Sequence, residues 1–337
     1  MRCFLRYLPA LLAPILSIAL AQTSTDCNPL DSTSCPPDKA LSSSSYSVDF
    51  TQGKSDDWTV TAGSVSYDSN GAAFTIKESG DAPTIETSFY FLFGQVEILL
   101  RSAPGTGIVS SVVLESDDLD EIDWEWLGGN SAQVESNYFG KGNTTSYDRA
   151  VYHAVSPDTQ DNVHNYTILW TSEYTTWFID SVAVRTLNYA DAVGGSNYPQ
   201  TPMRLKIGIW AGGDSSNDQG TIGWAGGTTD YSDGPFTFYV QSVSIVNYSP
   251  ATSYSYSDTT GSWRSIDVEG GEVNSNEGGV ATSTSGTTAS TTTRSGMWWT
   301  ASANAVKAAS RATHDNEVGT WQFLLVTLGL FVYLAVT

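Results

Sequence analysis

DEIDWEW, residues 120–126, sets the carboxylates of Glu121, Asp123 and Glu125 at every second position, with Ile122, Trp124 and Trp126 between and after them. Period two is the period of a strand, whose side chains point alternately to the two faces of a sheet. Taken as a strand, 119–126 splits into an apolar Ile/Trp face and an acidic one. The apolar face is expected to pack between sheets, and the acidic face to point at solvent or into a cleft.

Spacing says what such a row could do. Four residues along a strand separate the Glu121 and Glu125 Cα atoms by roughly 13 Å at ~3.3 Å per residue. Two glutamates leaning together across a curved sheet bring their carboxyls to roughly 5–6 Å, near the about 5–5.5 Å that a retaining glycosidase needs and short of the about 6.5–9.5 Å of an inverting one. Asp123, between them, would orient one partner and bias which carboxyl keeps a proton. Two other readings stand beside this one. Seven of the eleven residues from 115 to 125 are acidic, so a solvated charged strand is one, although no Lys or Arg lies between Arg101 and Lys141 to neutralise it. A calcium site is the other, without the loop glycine and ligand spacing of the usual calcium loop.

The rest of the chain sets the context. MRCFLRYLPALLAPILSIALAQ opens with Arg2 and Arg6, an apolar run and Ala19-Leu20-Ala21, a secretory signal expected to be cleaved after residue 21. WQFLLVTLGLFVYLAVT (321–337) is apolar, follows the polar RATHDNEVGT, and has small residues at 305–310 before that. This is the pattern of a removed glycolipid-anchor signal over 311–337, with a spanning helix the alternative. With Cys3 in the signal, Cys27 and Cys35 remain and are expected to pair in an oxidising compartment. Asn143, Asn165 and Asn247 head N-x-S/T acceptors for glycosylation. The formal charge of −21 repels nucleic acid as a partner. Neutral polymers feel no such field, and 11 Trp and 17 Tyr suit stacking on sugars as well as a sandwich core.

Between residues 41 and 250, short alternating runs rich in β-branched and aromatic residues are separated by Gly, Asn, Asp and Ser. FTIKES (74–79), GQVEILLRSA (94–103), SSVVLES (110–116), YTILW (166–170), WFIDSVAV (177–184), RLKIGIW (204–210) and FTFYVQSVSIV (236–246) each read as one strand, and no long helical period appears. Many strands at short spacing predict an all-β sandwich or barrel. Past residue 269 the chain turns to Gly, Ser and Thr, culminating in ATSTSGTTASTTT (281–293), a tract that cannot bury a core and reads as a stalk over 269–310.

EIDWE preceded by SSVVLESDDLD resembles the catalytic strand of glycoside hydrolase family 16. CNPLDSTSCPPDKAL (27–41), RSAPGTGIVSSVVLESDDLDEIDWEWLGG (101–129), NYFGKGNTTSYDR (137–149) and GTIGWAGGTTDYSDGPFTFYV (220–240) are similar to its fungal cell-wall branch, the CRH transglycosylases that link chitin to β-glucan. The resemblance covers roughly 25–265, within a catalytic domain placed at 22–268. It implies a jelly-roll β-sandwich with a concave substrate cleft, with Glu121 as nucleophile, Glu125 as proton donor and base, and Asp123 as auxiliary residue. It also implies chitin contacts at Glu125, Lys206, Trp210 and Thr221, with no cofactor and no metal. In RLKIGIW, alternation independently puts Arg204, Lys206, Gly208 and Trp210 on one face, suited to a sugar cleft or to a plain sandwich surface. Asn137, Tyr138 and Phe139 are candidates to line the cleft, and His153 and His164 are given no role. Leu169 and Gly223 depart from the family pattern and are expected to bear on cleft shape or acceptor choice.

The expected function is a transglycosylase acting on chitin and β-glucan, monomeric and held outside the cell through a lipid anchor. A plain hydrolase of chitin or β-glucan and a catalytically silent wall-binding protein are the alternatives.

Overall fold

A computed structural model describes residues 25–146 and 149–277. The expected signal peptide, most of the stalk and the anchor signal lie outside these residues.

Alternation becomes strands along the whole described chain. They are β1 (Asp38–Lys39), β2 (Ser45–Asp49), β3 (Trp58–Ala62), β4 (Val65–Asp68), β5 (Gly71–Ile76), β6 (Thr84–Thr87), β7 (Gly94–Arg101), β8 (Ile108–Ser116) and β9 (Glu121–Leu127). There follow β10 (Gln133–Phe139), β11 (Val151–Ala154), β12 (His164–Trp170), β13 (Tyr174–Ile179), β14 (Val182–Asn188), β15 (Met203–Ala211), β16 (Phe236–Asn247), β17 (Ser253–Tyr256) and β18 (Ile266–Glu269). One α-helix, α1 (Gln219–Trp224), makes under two turns among the described residues.

Two antiparallel sheets form the sandwich, as expected. One runs β11-β10-β9-β8-β15-β6-β3, and the other β14-β13-β12-β7-β16-β5-β4, with β2 paired to β16. A small sheet of β1, β17 and β18 joins the two ends of the domain. Trp124, Trp126, Tyr166, Trp170, Trp177 and Phe238 fill the space between the large sheets, all essentially without solvent contact. Edge-to-face packing of Trp126 on Tyr166 at 4.6 Å and of Phe93 on Trp170 at 4.9 Å fixes their orientations. The Ile/Trp face of DEIDWEW therefore packs where alternation put it.

WFIDSVAV departs from expectation: it is a hairpin rather than one strand. Asp180 and Ser181 take φ of 48° and 69° between β13 and β14. Two positive-φ residues make the tight turn whose twist matches that of its flanking strands, and the local run of apolar residues hid it. The paired Cys27 and Cys35 close a short N-terminal loop, as expected. Past the boundary expected at residue 268 the chain keeps its contacts: Asn276 N donates to the Tyr248 carbonyl, and Asn276 Nδ2 to that of Asn247.

Candidate active site

β9 lies third in the seven-stranded sheet, between β10 and β8. Register sets Glu121 opposite Glu115 and Phe139, Asp123 opposite Val113 and Asn137, and Glu125 opposite Ser111 and Glu135. Next in line, β15 sets Arg204 opposite Glu115, Lys206 opposite Val113, and Gly208 opposite Ser111. Directly paired residues share a face, so one outer face carries five carboxylates, Glu115, Glu121, Asp123, Glu125 and Glu135, with Lys206 and Arg204 beside them. At Gly208 a Cβ would come within 2.6 Å of Thr84 Oγ1, so the floor of this face is kept low there.

The row is held at its start by the turn from β8. Asp120 is fully buried. Its Oδ1 accepts from the Lys141 backbone at 2.9 Å and from Lys141 Nζ at 3.5 Å; its Oδ2 accepts from the Gln200 backbone at 2.7 Å and from Thr201 Oγ1 at 3.0 Å. Four donors on one carboxylate fix the backbone immediately before Glu121. Midway along, the Trp177 indole donates to the Asp123 carbonyl oxygen at 3.1 Å, tying the row to the opposite sheet.

Crowded carboxylates resist ionisation. Burial first, and then the charges of Asp123, Glu115 and Glu125, push the Glu121 carboxyl well up. Burial, Asp123 and Glu135 do the same to Glu125. Asp123 is pushed up to about 7 by burial and Glu135, against a hydrogen bond from Glu121 and the pull of Arg185. The physical cause is common: low dielectric and like charges both favour the neutral acid. The row therefore titrates as a set that holds its protons to higher pH than free carboxylates do, which favours the protonated state a general acid requires.

Lys206 and Trp210 stand on this face, but Lys206 is engaged: its Nζ donates to Glu115, itself buried. This ion pair steadies the carboxylate opposite Glu121 and leaves the Lys206 ammonium further N–H donors. Thr221 sits in α1, whose Trp224 ring stacks on that of Trp210 at 5.9 Å and 25°. Trp224 Nε1 donates in turn to Glu135 Oε2 at 2.9 Å.

Asn137 and Phe139 fall on the acidic face by register, whereas Tyr138 pairs with Ile122 and joins the core, so its expected place in the cleft is corrected. Leu169 lies on β12 in the opposite sheet, between the core residues Ile168 and Trp170, and so has no contact with the cleft. A Cβ at Gly223 would meet open space, so that departure removes a side chain from the surface of α1. His153 bonds Ser136 Oγ at 2.8 Å, and His164 bonds Asp180 at 2.7 Å, both away from the row. Among the described residues, no group of three or more His, Cys, Asp or Glu is placed to share a cation.

Asn247 is corrected as a glycan acceptor. Its side chain is fully buried, and its Nδ2 donates to the carbonyls of Leu41 and Ser43, which leaves no room for a sugar. Asn143 and Asn165 are partly exposed.

Sequence reasoning missed Glu115, Glu135 and Trp224. Alternation within SSVVLES and QVESNYF could have put both glutamates on the acidic face; Trp224 carried no local signal.

The model of glycosyl hydrolases family 16 matches residues 52–226. Crh-like protein 5 of Aspergillus fumigatus is 57% identical over 268 residues, covering 79% of this chain and 67% of the relative. Congo red hypersensitive protein 1 of Saccharomyces cerevisiae is 48% identical over 250 residues, covering 73% and 48%. Among solved structures, a Crh5 transglycosylase in complex with NAG is 59% identical, with a TM-score of 0.71 over 72% of this chain and all of that one. A Bacillus licheniformis β-glucanase, 20% identical with a TM-score of 0.52 over 61% of this chain and 100% of its own, shares the fold. Fold, carboxylate row and sequence agree: the chain belongs to glycosyl hydrolase family 16 and, within it, to the fungal Crh-like transglycosylases.

Proposed function

We propose that the protein is a retaining transglycosylase that cleaves chitin and transfers the freed glycosyl unit to β-glucan or chitin chains of the cell wall. The observation that carries this reading is the placement of Glu121 and Glu125 on one sheet face, four residues apart, with Asp123 between them.

Glu125, kept protonated by burial and its acidic neighbours, donates its proton to the departing sugar oxygen. Glu121 passes the proton it shares with Asp123 across their hydrogen bond and attacks the anomeric carbon as a carboxylate, and a glycosyl-enzyme ester forms. Glu125, now a carboxylate, takes the proton of an incoming sugar hydroxyl, whose oxygen displaces Glu121. The Trp210–Trp224 stack offers an aromatic surface to pyranose rings, consistent with chitin contacts at Trp210 and Thr221. The NAG bound to the Crh5 relative supports an N-acetylglucosamine polymer as donor. The two terminal segments support export and attachment to the outer face of the plasma membrane through a lipid anchor, and Asn143 and Asn165 are the proposed glycan acceptors.

The test is product analysis by mass after incubation with chitin oligosaccharides and a labelled laminari-oligosaccharide. Hybrid oligomers are expected. Shortened chitin alone would replace transfer by hydrolysis, and unchanged substrates would leave a binding protein. Glu121→Gln and Glu125→Gln are each expected to lower product formation by about a thousandfold or more.

A further inference from the structure

Glu135 has no part in the double displacement, yet it occupies a telling place. It lies directly opposite Glu125 across the β9–β10 ladder, on the same face, and is only 2% exposed. Its Oε2 accepts from Trp224 Nε1 at 2.9 Å, and Trp224 stacks on Trp210. On its other side, register pairs it with Tyr152 of β11, whose hydroxyl hydrogen-bonds it. Glu135, Glu125, Tyr152, Gln133, Asn130 and Leu127 together line one recess beside the row. A buried carboxylate that faces another carboxylate is unfavourable unless something else is gained. Here the gain is a single side chain in contact with both the charged row and the aromatic stack.

We propose that Glu135 is a positioning residue: it anchors Trp224 in the stack that receives sugar, and places a fixed negative charge beside Glu125. The proposal rests on the reading of Glu125 as proton donor. Directly paired residues have Cβ atoms about 5 Å apart, and a negative charge that near an acid favours its neutral form, so Glu125 holds its proton to higher pH than it otherwise would. The other groups near Glu125 are Asp123 and Glu121 from its own strand and Tyr152 from β11. Arg185 of β14 acts on Asp123 and Glu135, and Lys206 of β15 is engaged with Glu115. Of these only Tyr152 also reaches α1, its hydroxyl hydrogen-bonding both Glu135 and Trp224, so it reinforces the link that Glu135 makes. Hydrogen bonding through Trp224 Nε1 lies in the ring plane and so does not compete with the stack on Trp210.

The full chain carrying Glu135→Gln or Glu135→Leu separates the two parts of the role. Glutamine keeps an acceptor oxygen for Trp224 and removes the charge. The alkaline limb of its kcat/KM profile is therefore expected to move to lower pH by about one unit, with KM for chitin oligosaccharides near that of the parent. Leucine removes the acceptor as well, and is expected to add a rise in KM of about tenfold on loss of the stacked surface. An unmoved alkaline limb in Glu135→Gln overturns the proposal, and that variant decides alone should the leucine form not fold. A folded Glu135→Leu with unchanged KM overturns the anchoring part. Glu125→Gln, assayed alongside, keeps the two failures apart. Full activity there removes the proton-donor reading itself, whereas loss there with unmoved Glu135 variants removes only this inference.

Discussion

Trp177 on β13 and Asp123 on β9 are joined across the sandwich by one hydrogen bond, indole Nε1 to backbone carbonyl oxygen at 3.1 Å. Trp177 is fully buried, and the Arg185 guanidinium lies 4.7 Å over its ring. The middle of the carboxylate row is thus fastened to the sheet behind it, while its start is fastened by Asp120.

Trp177→Phe keeps an aromatic ring and removes the donor. Losing the bond leaves a buried carbonyl short of a partner and opens a small void, together worth about 2 kcal/mol. Thermal unfolding is expected to shift down accordingly, and kcat to fall more than KM rises, because the bond acts on the reacting carboxylates. Unaltered melting and kinetics would mean that core packing alone holds the strand.

The Lys206–Glu115 pair makes a second case. Burial pushes the Glu115 carboxyl up even with Lys206 beside it pulling down. Lys206→Met leaves that carboxylate buried without a partner, at a cost of about 3 kcal/mol near pH 7. The loss should shrink as the pH is lowered, because protonation of Glu115, whose proton affinity burial already raises, removes the buried charge. Urea unfolding at neutral and acid pH checks both the size and the direction.

A third prediction concerns pH and the domain as a whole. Burial and the nearby Asp117 push Asp38 up to about 8, and burial with Asp120 pushes Asp118 up to about 7. Both values lie above the ordinary aspartate value of 3.8, so the folded protein binds these protons more tightly than the unfolded chain does. Their contribution is fully present below about pH 4 and is lost as pH rises through 7 to 8. Asp214 works oppositely: hydrogen bonds from Ser79 and Tyr231 hold it low, so its contribution is lost only in strong acid. The melting temperature should therefore peak in mild acid and decline from pH 5 to pH 8. Asp118→Asn should flatten that decline by roughly 2–4 kcal/mol; an equally steep decline in the variant would assign it to other groups.

Much of the cleft was legible locally. DEIDWEW reads correctly because period two is a property of each strand by itself, and the same alternation put Arg204, Lys206 and Trp210 on one face. WFIDSVAV misread because a two-residue turn at Asp180 and Ser181 leaves little trace among apolar neighbours. The Lys206–Glu115 pair was invisible because its partners lie 91 residues apart, and Asn247 looked like an acceptor because its burial against Leu41 spans 206 residues.

By itself, then, the sequence determined which residues share a strand face, the all-β class, the Cys27–Cys35 pairing and the family. Tertiary structure alone decided which strands are neighbours. That choice made three spaced carboxylates into a crowded field of five, engaged Lys206 with Glu115, and brought Trp224 from α1 onto Trp210. The reason is physical: alternation is local, whereas register and burial follow from contacts between residues tens to hundreds of positions apart, and those contacts set charge, proton affinity and access.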